Sequence, residues 1–202
     1  MGPLCNAIAA PRNEGSRSSC GSGSHDGIML TMETELHVLV REEQPCDRQG
    51  VRTVSEVAFG RSDEADLIDR LQAEGVVLLS LVAEVDSKII GHILFSRMRV
   101  ETAQGPVAAV SLAPMAVLPG HQGRQVGSQL VRRGLAELRG RSERIVLVLG
   151  HRGYYPRFGF TPEKARHLAS PFPPVAFMAL ELSDGALAGI QGSVRYPSAF
   201  GL

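Results

Sequence analysis

The sequence predicts an α+β domain of layered α/β type, and three observations carry that expectation. Apolar residues recur at helical spacing in two early segments. They then run through three consecutive strand-like stretches, and a further amphipathic helix is followed by a short, continuously apolar run. The implied order is β-α-α-β-β-β-α-β-α-β, with an antiparallel meander in the front half. The 202 residues suffice for one domain with its own core. A chain with 44% hydrophobic and 21% charged residues has globular composition.

Taken in order, residues 1–32 stand apart. The run Asn13–Ser24 is rich in Gly and Ser and has no periodicity. It buries too little apolar surface to offset chain entropy, so it reads as a disordered extension ahead of one domain at 33–202. Leu36, Val38 and Val40 alternate as a first strand, and Val51, Val54 and Ala58 form a helical stripe within 46–59. Ser62 is placed to cap a second helix, with Asp63 and Glu64 at the positive end of its dipole. That helix sends Ala65, Ile68 and Leu71 inward and stops at Gly75.

Val76–Val85 and Ile89–Val100 make a hairpin around Asp86-Ser87-Lys88. Gln104-Gly105-Pro106 turns the chain into a third meander strand, Val107–Val117. Val126, Leu130, Val131, Leu135 and Leu138 give the helix over 125–139 its apolar face. Ile145–Leu149 has the length and composition of a strand buried on both faces. Val175–Leu182 reads as the last strand.

Composition excludes several function classes. Lys plus Arg and Asp plus Glu both total 21, so the chain lacks the basic footprint of a nucleic-acid binder. Zero net charge leaves homodimerisation open. Cys5, Cys20 and Cys46 are odd in number and form no CxxC pair, so neither a disulfide framework nor a metal site is expected. No apolar run approaches the ~20 residues of a membrane span, and Leu4–Ala10 has no basic residue before it, so no secretory signal is expected. A cytoplasmic location is the expectation.

The chemistry lies in Leu112–Ser128, a strand, a turn at Pro119-Gly120, a Gly-containing loop and a helix start. A helix N-terminus offers unpaired amides and partial positive charge, which suits a phosphate or pyrophosphate. Gly123 and Gly127 let a ligand approach the backbone. No Gly-Lys-Ser/Thr follows, so the loop is not a P-loop. Pro114, inside a strand pattern, cannot donate a ladder bond and marks an edge or a bulge.

Here the chain resembles the GNAT N-acetyltransferases, whose signature Gln/Arg-x-x-Gly-x-Gly/Ala aligns with Gln122-Gly123-Arg124-Gln125-Val126-Gly127. Gln122 and Gly127 match, and Gln125 stands where the family has Gly. A second element agrees: Tyr154-Tyr155-Pro156-Arg157-Phe158-Gly159-Phe160 matches the aromatic-Tyr-x-x-x-Gly-Phe pattern found after the fifth strand. With Leu149-Gly150 before it and Val194-Arg195-Tyr196-Pro197-x-x-Phe200 at the end, it is similar to the YhbS-like branch.

The resemblance implies a GNAT fold: a mixed central sheet, helices on both faces, and a splay between the fourth and fifth strands. It implies acetyl-CoA as acyl donor, with its diphosphate on the amides of Gln122, Gly123, Arg124, Gln125, Val126, Gly127 and Ser128. It implies that the pantetheine arm lies along Met115, Ala116 and Val117, with a free amide near Met115 for the thioester carbonyl. It implies Tyr155 as the acid that protonates the leaving thiolate, with Tyr154 in the core. Arg124, with Arg132 or Arg133, is a candidate for the phosphates. The acceptor is an amine of a small molecule or peptide.

No general base stands out. Glu84, His92, His121 and His151 are candidates, a structural role is expected of His92, and a water chain is an alternative. The reading from another class is a non-catalytic acyl-CoA-binding module.

Overall fold

Alternation along the meander decides which helix lies on which face. In the computed structural model, which describes residues 37–202, Val77–Val85 (β2) and Lys88–Thr102 (β3) are paired antiparallel. Leu79, Leu81, Ala83, Ile93 and Phe95 project to one side. There they meet Val126, Leu130, Val131, Leu135 and Leu138 of the helix Val126–Gly140 (α3). Val82 and Leu94, one residue out of phase, project to the other side. They pack on Val51 of Arg48–Phe59 (α1) and on Leu67, Ile68 and Leu71 of Asp63–Ala73 (α2). A two-residue side-chain period thus sorts the helices onto opposite faces. The expected apolar stripes of α2 and α3 are buried as read.

The remaining strands are Leu39–Glu42 (β1), Gly105–Val117 (β4), Ile145–Leu149 (β5), Leu168–Ala169 (β6), Phe177–Glu181 (β7) and Gly192–Arg195 (β8); a short helix, α4, spans Pro162–Ala165. The main path of the sheet runs β1-β2-β3-β4-β5-β7, with β8 paired to β3 and β6 to β8; the β4–β5 and β6–β8 pairs are parallel and the others antiparallel. The architecture is the expected layered α+β one. Val146 and Val148 join the core under α3, while Ile145 and Leu147 join a separate cluster on the opposite face, so β5 is buried on both sides. The β2–β3 hairpin turns on Asp86 and Ser87 at φ 47 and 61, the paired positive values of a two-residue turn.

Several local expectations change. Leu36 lies outside the described residues, as does the whole of 1–32, and β1 begins at Leu39. The first helix is preceded by a 3-10 turn at Pro45–Asp47. Ser62 does not cap α2: its backbone is already helical, and its hydroxyl donates to Asp66 at 3.0 Å. The last long strand starts at Phe177 and not at Val175, because Ala176 and Phe177 donate to the Pro173 carbonyl and close a turn there.

Strands β6 and β8 have no counterpart in the sequence reading. β8 has one buried side chain, Val194, so it carries no alternation. It is recruited by β3, whose end runs beyond β2 and pairs through Arg99–Thr102.

β4 pairs with β5 at only three positions, Val110–Leu112 against Val146–Val148. On its other edge, Ile93 faces Met115 and Phe95 faces Leu112, so Leu94 opposes two residues, Ala113 and Pro114. That is a β-bulge at the expected proline, and it turns β4 away from β5.

Candidate active site

Beyond the bulge, β4 has one paired edge and one open edge. Leu118 donates to Ile90 across the β3 side. By alternation Ala116 also faces β3, and the backbone groups of Met115 and Val117 face the opening. The Val117 carbonyl is taken there by the Gln122 side chain, whose Nε2 donates at 2.9 Å. The Met115 amide is left directed at the gap.

The loop that follows makes a 3-10 turn at Pro119–His121 and enters α3. Gly123 and Gln125 both take left-handed backbone, with φ 75 and 65. Among the described residues, no backbone carbonyl accepts from the amides of Gly123 through Ser128. Left-handed residues just before a helix gather such amides into an anion-binding concavity. The family's Gly at position 125 therefore has a geometric reason, and Gln125 adopts the same conformation.

These elements enclose a groove of about 210 Å³. Of the expected site residues, Met115, Val117, Gln122, Gly123, Gln125, Val126, Gly127 and Ser128 line it. Ala116 does not, since its side chain points to the opposite face from its neighbours and is buried against the sheet. Arg124 does not line it either; it is exposed to solvent.

The two tyrosines exchange their expected places. Tyr154, expected in the core, forms the groove wall, and Tyr155, expected on the groove, is 0% exposed behind it. Two glycines seat them. A Cβ on Gly127 would stand 2.7 Å from the Tyr154 hydroxyl, and one on Gly150 would stand 2.2 Å from the Tyr155 ring. The bareness of Gly127 is thus already used by a side chain.

Burial raises the Tyr154 phenol, while a hydrogen bond with Ser128 and the charges of Arg157 and Arg132 pull it back. Burial raises Tyr155 much further, with a smaller contribution from Tyr154. Its hydroxyl has no hydrogen-bond partner among the described residues.

Arg157, another groove residue, stacks 4.7 Å over the Tyr154 ring. His121 also lines the groove, with Nδ1 buried and unpartnered among the described residues. The other base candidates lie elsewhere. Glu84 is held by Arg41, and His92 sits 2.8 Å from the Ser80 hydroxyl beside Glu43. His151 is exposed. Arg132 lies over Phe158, and Arg133 pairs with Glu137.

A second cavity opens against the same bulge from the α2 side. It contains Glu64, 5% exposed, which the sequence placed only at the positive end of the α2 dipole. A signal existed: Glu64, Leu67, Ile68 and Leu71 share one helical face at i, i+3, i+4 and i+7.

Residues 40–162 match the family described as an acetyltransferase (GNAT) domain. The chain belongs to the GNAT acetyltransferase family. Among GNAT relatives it is similar to the uncharacterized N-acetyltransferase YjhQ of Escherichia coli (strain K12), 42% identical over 118 residues; the match covers 57% of this chain and 65% of that protein. It is also similar to the uncharacterized N-acetyltransferase YhbS of the same organism, 33% identical over 166 residues, covering 81% of this chain and 98% of the relative.

Two solved GNAT structures agree with the fold. YhbS from Escherichia coli in complex with CoA aligns with TM-score 0.77 at 33% identity, covering 83% of this chain and 93% of that one. A GNAT acetyltransferase from Brucella melitensis in complex with acetyl-CoA aligns with TM-score 0.69 at 35% identity, covering 82% and 99%. No helix among the described residues is long and apolar enough to cross a membrane.

Proposed function

We propose that this GNAT protein transfers an acetyl group from acetyl-CoA to a primary amine of a small molecule or peptide by direct attack. The observation that carries the reading is the run of unbonded amides at 123–128, opening into a groove along the free edge of β4. Relatives with this fold bind CoA and acetyl-CoA. A thioester supplies an activated acyl carbon and a thiol leaving group.

The amides of Gly123–Ser128 receive the diphosphate, helped by the dipole of α3 and by His121 and Arg157 at the groove. Met115 and Val117 offer backbone to the pantetheine amides, and the Met115 amide polarises the thioester carbonyl. The neutral amine nitrogen forms the new C–N bond and releases a proton to water, the C–S bond breaks, and the sulfur departs as thiolate.

Tyr155, by its place in the motif at 154–160, supplies the thiolate's proton, and the sulfur reaches it only past the Tyr154 ring that closes the groove in front of it. A fully buried hydroxyl without a partner costs about 1–3 kcal/mol, so an incoming acceptor is favoured there. Burial raises this phenol, and a thiolate formed in the same dry space is raised with it, so the proton keeps a recipient. Tyr154, tied to Ser128, holds the groove wall.

Acetyl-CoA and an amine panel, followed by mass spectrometry, test the transfer. Tyr155→Phe is expected to lower kcat by about 10²-fold with CoA affinity unchanged. Tyr154→Phe is expected to weaken CoA binding more than kcat. Unchanged turnover in Tyr155→Phe removes that residue from the mechanism. CoA binding without amine-dependent thiol release would make the protein a non-catalytic acyl-CoA-binding module.

A further inference from the structure

The cavity on the α2 side has chemistry of its own. Its walls carry one carboxylate, that of Glu64, and no cationic side chain. Glu64 is 5% exposed, and Arg61 approaches it from the solvent side. Arg61 donates from Nε at 3.1 Å to Oε2 and from Nη2 to Oε1. That fork orients the carboxylate and occupies two of its roughly four acceptor positions. Among the described residues, no other group donates to it.

The rest of the wall includes three aromatic rings. Phe172 and Tyr196 meet edge-to-face at 5.5 Å and 87°, and Tyr196 and Phe200 meet at 5.1 Å and 58°. Aromatic faces attract cations, and a desolvated carboxylate does so more strongly. Space restricts the occupant further. The cavity holds about 40 Å³, above the ~10–15 Å³ that a water requires and far below the ~300 Å³ where ordinary small-molecule pockets begin. Its closed end has room for the end of one unbranched chain. Its fourth side is Leu112–Pro114, the stretch of β4 that parts from β5.

We infer that this cavity is the acceptor site, that it selects slim primary alkylammonium groups, and that Glu64 is the specificity-determining residue that receives their charge. This rests on the acetyl-transfer reading and narrows its acceptor class. The recognition is charge pairing in the ground state; the ammonium proton is lost to water before the nitrogen attacks. Phe172, Tyr196 and Phe200 lie beyond residue 162, where the family match ends.

The test is binding of n-hexylammonium and of its neutral counterpart n-hexanol, by calorimetry, with and without CoA. The wild type is expected to bind n-hexylammonium at least tenfold more tightly than n-hexanol. Glu64→Gln is expected to reduce that preference to threefold or less while CoA affinity stays within twofold. Phe172→Leu, at a half-buried ring, is expected to weaken the ammonium severalfold and the alcohol little, which gives a readout if Glu64→Gln does not fold. In turnover, KM for n-hexylamine rises in Glu64→Gln and KM for acetyl-CoA does not. Equal binding of the two probes by the wild type overturns the inference, as does a folded Glu64→Gln that keeps the preference. Failure to bind CoA, with the ammonium preference intact, overturns the acetyl-transfer reading instead.

Discussion

Gln125 holds φ 65 at the entrance to α3, in the left-handed region where a side chain brings Cβ close to the following carbonyl. The conformation costs a non-glycine residue about 1–2 kcal/mol, and glycine loses about 0.5–1 kcal/mol of chain entropy in exchange. Gln125→Gly is therefore expected to be neutral or stabilising by up to about 1.5 kcal/mol, and to retain or tighten CoA binding. Thermal denaturation and calorimetry check both, and a clear loss of affinity counts against diphosphate binding at this loop. The glycine that matters sterically is Gly127, whose missing Cβ is replaced by the Tyr154 hydroxyl. The motif at 154–160 made the tyrosine pair legible in sequence. Which tyrosine faces the groove was not legible, because two bare positions far apart in the chain, Gly127 and Gly150, seat the two rings.

Element α2 links the cavity beside Glu64 to the C-terminal segment. Its first turn presents Glu64, and beyond its last turn Glu74 accepts from the amides of Ser198 at 3.1 Å and Ala199 at 2.8 Å. Arg70 donates to the Ala199 carbonyl at 3.0 Å. The clamp positions Tyr196 and Phe200 beside Glu64. The bond from Ala199, followed by that from Ser198, holds the Glu74 carboxyl below the usual carboxylate range. A carboxyl with a lowered folded pKa stabilises the fold above its unfolded value of ~4.3 and loses that contribution as the pH falls through the folded value. The Ala199 amide is therefore expected to stay protected from hydrogen exchange down to about pH 4.3 and to lose protection only below it. Glu74→Ala is expected to expose that amide at neutral pH. Protection unchanged in Glu74→Ala would show that the tail is held by packing alone.

At the scale of the whole molecule, one bulge opens two cavities. β4 leaves β5 after three paired positions, and the opening is lined by α3 and its loop on one side and by α2 and the C-terminal rings on the other. A donor and an acceptor entering from opposite faces would meet across Leu112–Met115. A ligand bound only by the folded protein adds RT ln(1 + [L]/Kd), so acetyl-CoA at 100 times its Kd is expected to raise the thermal midpoint by roughly 5–10 °C. No shift at that ratio would argue against a preformed donor groove.

The amino-acid sequence by itself determined the layered α+β class, the meander, the faces of α2 and α3, an edge or bulge at Pro114 and the glycine-containing loop into α3. Each of these depends on local periodicity or on the backbone preference of a residue in place. Only the tertiary structure decided that Tyr155 lies behind Tyr154, that β8 extends the edge of β3, and that Glu64 is sealed beside three rings from residues 172–200. These depend on which distant surfaces meet. A contact between residues more than a hundred positions apart leaves no period in the chain, because neither partner's own neighbours have to change to make it.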